Sequence, residues 1–398
     1  MHSTVHPISK DRSDARTLAT VRPRVQLLIV QATPFCNLHC AYCYLQDLSV
    51  KARVSEQTLD NLFRKLFRTG WARRHLDLCW HAGEPTVLDA GFYRRAHKIL
   101  ERYRPSSVRV QPSLQTNATL LNKEWCDFFR ESGMRVGVSI DGPKRITDLN
   151  RVNRAGASAF DRILAGVRLL RSEKIDFHAI AVLSAESLEA PAEIYRFFAE
   201  EGIERVAFNC EESEGAHASG LKPGAETWRA FRDFLAEFAA LAAADGRVRS
   251  VREWEAGFRS IYQGAAYSPQ LGDPVALCNP VVEPFSVLSV DHRGRMSTFS
   301  PELLGNKSRE YDDFIIGDVN ADDFADLPQS PNLAKMRAAI AAGVEMCRAQ
   351  CAYFDVCGGG HPINKLSENG TFASAATEFC RLTRMSIADL VLDGPYGD

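Results

Sequence analysis

The chain contains eleven cysteines, most of them in two tight groups. Cys36, Cys40 and Cys43 fall within the string Thr33-Pro34-Phe35-Cys36-Asn37-Leu38-His39-Cys40-Ala41-Tyr42-Cys43. Three thiolates at this spacing can hold three irons of a cubane [4Fe–4S] cluster and leave the fourth iron without a protein ligand. A zinc site would close with a fourth Cys or His, and the nearest candidate, His39, lies inside the loop. Cys347, Cys351 and Cys357 form the second group, with Cys380 following. Cys79, Cys126, Cys210 and Cys278 are isolated and read as small apolar residues packed in or beside a core. An odd number of clustered cysteines points to metal or redox chemistry rather than to a disulfide framework.

A large fold must position these groups. The chain has 398 residues, 48 Lys and Arg against 50 Asp and Glu, and a net charge of -2. No stretch concentrates basic residues, which argues against a protein that grips nucleic-acid phosphates by bulk charge. No run approaches the ~20 apolar residues that span a bilayer, and residues 1–24 lack the apolar core of a secretory signal. A cytoplasmic protein with a loosely ordered lead-in over 1–24 is expected.

Six short apolar runs, Val25–Gln31, Leu76–Trp80, Val108–Leu114, Met134–Ile140, Asp176–Leu183 and Val206–Asn209, alternate with segments of helical periodicity. After Ser55, Leu59, Leu62, Phe63, Leu66 and Phe67 mark one buried helix face, with Gly70 as the stop. Pro191 opens another helix and Gly202 follows its end. Six strand–helix repeats predict parallel βα units in an α/β fold, two short of a closed eightfold barrel. Beyond residues 215–225 the pattern changes. Ala225–Asp245 and Arg252–Tyr262 read as helices, and Phe285–Val290 and Arg295–Phe299 flank Asp291-His292-Arg293-Gly294 as a β-hairpin. The remainder reads as loop-rich. The expected organisation is a partial barrel over 25–220, a helical bridge over 221–270 and a C-terminal domain over 271–398.

The first cysteine motif, directly after the first strand, resembles that of the radical S-adenosylmethionine (SAM) superfamily. The resemblance implies a partial (β/α)6 barrel, a [4Fe–4S] cluster with an open iron that chelates SAM, and a 5′-deoxyadenosyl radical that takes hydrogen from substrate. Further motifs follow in the family's order. His81-Ala82-Gly83-Glu84-Pro85 resembles its Gly-Gly-Glu-Pro turn, with Ala82 replacing the first glycine. Leu114-Gln115-Thr116-Asn117-Ala118 and Ser139-Ile140-Asp141-Gly142-Pro143 resemble two later segments. By resemblance, Glu84 faces the amino group of SAM, Asn117 bonds the cofactor, Ser139 and Asp141 face the ribose, and Arg151, rather than Arg154, clamps the carboxylate. Tyr42 is the aromatic residue of the cysteine motif and is placed with the SAM contacts.

Cys347, Cys351, Cys357 and Cys380 resemble the ligand set of the outer auxiliary [4Fe–4S] cluster in a SPASM domain. Three residues separate the first pair where the family usually has two. The inner auxiliary cluster would need cysteines near Cys278 and at positions held here by Phe299 and His361, and it is expected to be absent. A zinc ribbon is the alternative for the C-terminal cysteines.

The string Cys357-Gly358-Gly359-Gly360-His361-Pro362-Ile363-Asn364-Lys365-Leu366, with Glu368-Asn369-Gly370-Thr371-Phe372, is similar to the cyclophane-forming SPASM maturases. That likeness implies a carbon–carbon bond between an aromatic ring and a side-chain carbon of a ribosomally made precursor peptide. It also implies an external electron donor such as flavodoxin or ferredoxin, with no nucleic-acid or membrane partner. Glu283 is the candidate base. The alternatives are a sulfatase-maturase-like oxidation to formylglycine and a non-catalytic iron–sulfur electron carrier. The precursor would be recognised by the groove between barrel and SPASM domain, by a partner protein, or by strand addition at an edge such as the hairpin.

Overall fold

The computed structural model describes residues 21–213, 217–262 and 279–393. Cys278 and most of the expected lead-in lie outside the described residues. In chain order the elements are β1 Val25–Val30, α1 Glu56–Arg68, β2 Ala72–Trp80, α2 Ala90–Tyr103, β3 Arg109–Thr116, α3 Lys123–Ser132 and β4 Arg135–Ser139. Next come α4 Lys144–Asn150, α5 Phe160–Ser172, β5 Phe177–Leu183, α6 Ala185–Leu188, α7 Pro191–Glu200 and β6 Arg205–Cys210. The bridge holds α8 Ala225–Asp245, β7 Ser250–Val251 and α9 Arg252–Tyr262. The C-terminal part holds β8 Val287–Val290, β9 Arg295–Thr298, β10 Gly317–Asp318, α10 Pro331–Gln350, α11 Phe354–Cys357, α12 Pro362–Asn369, α13 Glu378–Cys380 and α14 Ser386–Asp393.

Local rules place the helices. Ser55 caps α1 by accepting from the Thr58 amide, and Leu59, Leu62, Phe63, Leu66 and Phe67 form its buried stripe. Pro191 occupies the first turn of α7.

Strands β1 to β6 are all parallel and adjacent in sequence order. Right-handed crossovers that always advance in one direction put every helix on the same sheet face. That face is apolar and fully buried, with Leu28, Leu78, Trp80, Leu114, Val136, Val138, Ala179 and Phe208. The opposite face carries polar, half-buried residues in register: Cys79 opposite Ser113, and Gln115 opposite Gly137 opposite His178. A sheet with one face left open to ligand is the result.

Two expectations are corrected. The hairpin of β8 and β9 has no free edge for strand addition, because β8 pairs in parallel with β1 from Leu27–Val287 to Val30–Val290 and β9 continues to β10. Ser297, Thr298 and Phe299 are fully buried. The C-terminal part therefore shares the sheet, and one continuous core, with the N-terminal part: Trp71 packs on Phe285 at 4.8 Å and on Phe324 at 5.0 Å. The C-terminal region is also less loop-rich than expected. Leu333, Met336, Ile340, Gly343 and Cys347 line one face of the 20-residue helix α10. Its other face is rich in alanine, which blurs the amphipathic contrast in the sequence.

Candidate cofactor site

The loop from Gln31 to Ser55 carries the first three cysteines and leaves β1 at its carboxyl end, where ligands bind in parallel α/β sheets. Its base is closed by the Val54 amide donating to the Ala32 carbonyl at 2.8 Å and the Thr33 hydroxyl to the Ala52 carbonyl at 2.5 Å. From the side, the His39 and Ala41 amides donate to the carbonyls of Val152 and Asn150 at 2.8 and 2.9 Å. Arg154 donates to the carbonyls of Cys36 and Leu48, both at 3.1 Å. From below, the Glu84 amide donates to the Phe35 carbonyl at 2.8 Å.

The turn at Ala82 and Gly83 makes this last approach possible. Both residues have positive φ, +70° and +68°. A Cβ on Gly83 would lie 2.2 Å from the Thr33 carbonyl oxygen, so only glycine lets the two loops meet. Ala82 adopts the left-handed conformation at a cost of about 1 kcal/mol relative to glycine.

The strand-end residues hold this loop. Glu84 is 2% exposed, and its carboxylate accepts from the Thr86 amide and hydroxyl (2.9 and 2.6 Å), the Thr116 hydroxyl (2.6 Å) and the Asn117 amide (2.7 Å). Burial raises its pKa and those four bonds lower it. The Glu84 carboxylate, expected at the SAM amino group, ties the end of β2 to the end of β3, with three of these donors on Oε1 and one on Oε2. Asn117 behaves similarly. Its Nδ2 donates to Asn37 Oδ1 at 2.9 Å and lies 3.9 Å from Cys36 Sγ, while its Oδ1 accepts from the Thr119 amide and hydroxyl.

Asp141 and Arg151, expected at the ribose and the carboxylate of SAM, meet each other. They form a buried two-point ion pair, Nη2 to Oδ1 at 2.9 Å and Nε to Oδ2 at 3.0 Å, with Asp141 1% and Arg151 6% exposed. The Tyr42 hydroxyl donates to Asp141 Oδ2 at 2.6 Å, and the Val182 amide to Oδ1 at 2.9 Å. The Arg151 guanidinium lies over the Tyr42 ring and partly offsets the burial that raises the pKa of Cys40. Tyr42 is thus a buried partner of the pair. Ser139 keeps its place on the open face, where its Oγ accepts from Gln115 Nε2 at 2.8 Å.

Glu283, the candidate base, is exposed in the turn before β8, and since β8 runs parallel to β1 this turn lies at the end of the sheet opposite the cysteine loop. The open face instead carries His81 and His178, which sequence reasoning passed over. Burial pushes the pKa of His81 down to about 4 and lowers that of His178, so both imidazoles resist taking up a proton. His81 Nε2 lies 3.4 Å from the Tyr44 hydroxyl. The signal was the alternation of polar and apolar residues in β2, Asp77, Cys79 and His81 facing one way.

The donor set fits an iron–sulfur cluster. Burial pushes the Cys36 thiol up to about 12, the Cys40 thiol to about 11, and raises Cys43, so metal loading has to displace protons. The three thiols couple electrostatically, and the Leu38 amide donates to Cys36 Sγ at 3.4 Å. His39 is exposed. Among the described residues no three His, Cys, Asp or Glu side chains converge as a single metal ion requires. In a cubane each thiolate takes a different iron.

The second group sits at the end of α10. Cys347 lies in its last turn and Cys351 caps it, the Cys351 amide donating to the Cys347 carbonyl at 2.9 Å. The three-residue spacing thus places this pair one helical turn apart. Cys357 ends α11, and three consecutive glycines, Gly358, Gly359 and Gly360, continue with positive φ. A Cβ on Gly360 would sit 3.2 Å from Cys380 Sγ. Cys380 accepts from the Thr377 hydroxyl at 3.1 Å, and Cys347 couples electrostatically to Cys380 and Cys357.

A model of the radical SAM superfamily matches residues 30–198. An uncharacterized protein of Synechocystis sp. is 35% identical over 370 residues, covering 92% of this chain and 91% of its own. The serine-type anaerobic sulfatase-maturating enzyme of Klebsiella aerogenes is 33% identical over 208 residues, 52% of this chain and 51% of its own. Among solved structures, anSMEcpe with bound AdoMet superposes with a TM-score of 0.73 at 20% identity, over 92% of this chain and 97% of that one. Streptococcus suis SuiB bound to its precursor peptide SuiA gives 0.62 at 13% identity, over 90% and 76%. The extended Synechocystis match, the family model and the geometry of the cysteine loop agree: the chain belongs to the radical SAM superfamily.

Proposed function

We propose that this protein is a radical SAM maturase that forms a carbon–carbon crosslink between an aromatic ring and a side-chain carbon of a ribosomally made precursor peptide. Cys36, Cys40 and Cys43 would hold the cluster that chelates SAM, and Cys347, Cys351, Cys357 and Cys380 one auxiliary cluster. Bound together, SAM and the first cluster supply a hydrogen-abstracting radical once an external donor of the flavodoxin or ferredoxin type delivers an electron. Asp141, Arg151, Glu84 and Asn117 fix the loop on which this happens. His81 and His178 line the open face of the sheet beside that loop.

The observation that carries the crosslinking reading over a sulfatase-maturase one is the filling of the inner-cluster positions. Phe299 is fully buried with φ +77°, and His361 packs at a tilt against Phe379 at 5.6 Å with its pKa pushed down to about 4 by burial. A phenyl ring that cannot bind iron stands at one of these positions and an imidazole, in place of a thiolate, at the other. The sulfatase-maturating relative, moreover, aligns with only about half of the chain. The formylglycine reading draws its support from that relative and from the anSMEcpe fold.

The precursor would enter by the cleft of about 660 Å³ at the carboxyl end of β6, between Glu211–Ser213 and Glu368, Glu378 and Phe379. Asn364 Nδ2 bridges this boundary by donating to Glu212 Oε2 at 2.6 Å.

The test is incubation of the reconstituted enzyme, SAM and reductant with the precursor encoded beside it. A crosslink removes two hydrogens and lowers the mass by about two daltons, without backbone fragmentation between the joined residues. Normal fragmentation throughout, or an aldehyde trapped by hydrazine, would assign the formylglycine reaction instead.

A further inference from the structure

Lys365 is 2% exposed, and its ammonium donates to the Gly343 carbonyl at 2.9 Å and to Cys347 Sγ at 3.2 Å. Among the described residues no carboxylate lies within ion-pair distance of it. A buried ammonium without a counter-charge costs several kcal/mol, so an anion must belong beside it. The contrast with Arg151 is direct. That guanidinium also lies against a cluster cysteine, but Asp141 neutralises it through two hydrogen bonds. The Lys365 charge is spent on no carboxylate and faces sulfur.

Its position is built rather than incidental. A Cβ on Gly343 would lie 3.2 Å from Lys365 Nζ and 2.1 Å from the Phe372 carbonyl, so glycine in α10 opens the space the ammonium occupies. A Cβ on Gly360 would meet both Cys380 Sγ at 3.2 Å and Lys365 Cε at 3.4 Å. The lysine stem and the Cys380 sulfur thus both border the space left by Gly360, and the ammonium ends on the sulfur of Cys347.

We infer that Lys365 is the positioning cation of the auxiliary cluster, compensating its negative charge and raising its reduction potential through the contact with Cys347. The inference rests on the proposed auxiliary cluster. A positive charge at this distance stabilises the reduced, more negative state, since net charge and hydrogen bonds to sulfur are what set such potentials. Lys365 touches a ligand and not the substrate.

The experiment uses the full chain with Cys36, Cys40 and Cys43 replaced by alanine, so that only the C-terminal group can bind iron. K365Q, K365M and K365R are made in that background, and each is read by iron content and by an EPR-monitored redox titration. About four irons in the parent establish the cluster; an iron-free parent overturns the auxiliary-cluster reading and this inference with it. With the cluster present, K365Q and K365M should lower the midpoint by at least a tenfold shift in the one-electron equilibrium, about 59 mV, while K365R stays near the parent. If neutral variants fail to retain iron, retention in K365R supports the charge requirement. An unchanged midpoint in K365Q, or loss of iron from K365R together with K365Q, overturns the inference.

Discussion

Gly83 and Thr33 stand so close that a single added carbon would sit 2.2 Å from the Thr33 carbonyl oxygen. This contact joins the turn after β2 to the entry of the cysteine loop, and with the Glu84 amide bond to Phe35 it sets the depth at which the first cluster is held. Gly83→Ala has to push these backbones apart and also adopts a positive φ. A loss of about 2–4 kcal/mol is expected, with a fall in the iron held at the cysteine loop. Equal iron in wild type and variant would show that the loop tolerates displacement.

Breaking the pair between Asp141 and Arg151 should be costlier than losing an exposed ion pair. Asp141→Asn leaves the guanidinium buried without its full counter-charge, and about 3–5 kcal/mol of stability should be lost. Denaturant midpoints of the apoprotein measure it. A loss below 1 kcal/mol would mean that Tyr42 and Cys40 accommodate Arg151 unaided.

Glu84→Gln tests whether the carboxylate anchors or ligates. Four donors converge on its two oxygens, and an amide turns an NH2 group toward at least one of them, which costs about 1–3 kcal/mol. The thermal midpoint should fall in the apoprotein, in the absence of SAM. A variant as stable as wild type, with only SAM affinity reduced, would restore the direct-contact reading.

Acid should destabilise the fold through its neutral histidines. Burial lowers His81 and His361 from 6.5 to about 4. The unfolded chain thus takes up protons that the folded chain refuses, and stability falls as pH drops from 6.5 toward 4. Each residue accounts for about 2 kcal/mol at pH 5. In urea unfolding of apoprotein at pH 7.5 and 5, His81→Gln should remove its share of the difference; an identical difference in the variant would show His81 protonated in the fold.

Reading the sequence located β1, β3, β4, β5 and β6 to within one or two residues, and placed α8 and α9 at their observed ends, because alternation and helical stripes are local. β2 begins four residues before the apolar run because Arg73, Arg74 and His75 disguise its first half. The cysteine loop was legible as chemistry. The partners of its neighbours were not: residue type marks Glu84, Asp141 and Arg151 as polar groups beside a site, but whether they face ligand or one another is a matter of distances across 33 residues, for Glu84 and Asn117, or 10, for Asp141 and Arg151. The pairing of β8 with β1 spans some 260 residues and has no local periodicity to announce it.

That pairing makes the cysteine-bearing half a poor candidate for transplantation. Ending the chain before β8 would strip β1 of one neighbour and bare a row of unpaired amides and carbonyls along Leu27–Val30, the kind of edge on which chains aggregate. The same strand feeds directly into the loop with Cys36. Loosening of the β8–β9 hairpin would therefore reach the cysteine loop through the backbone of β1.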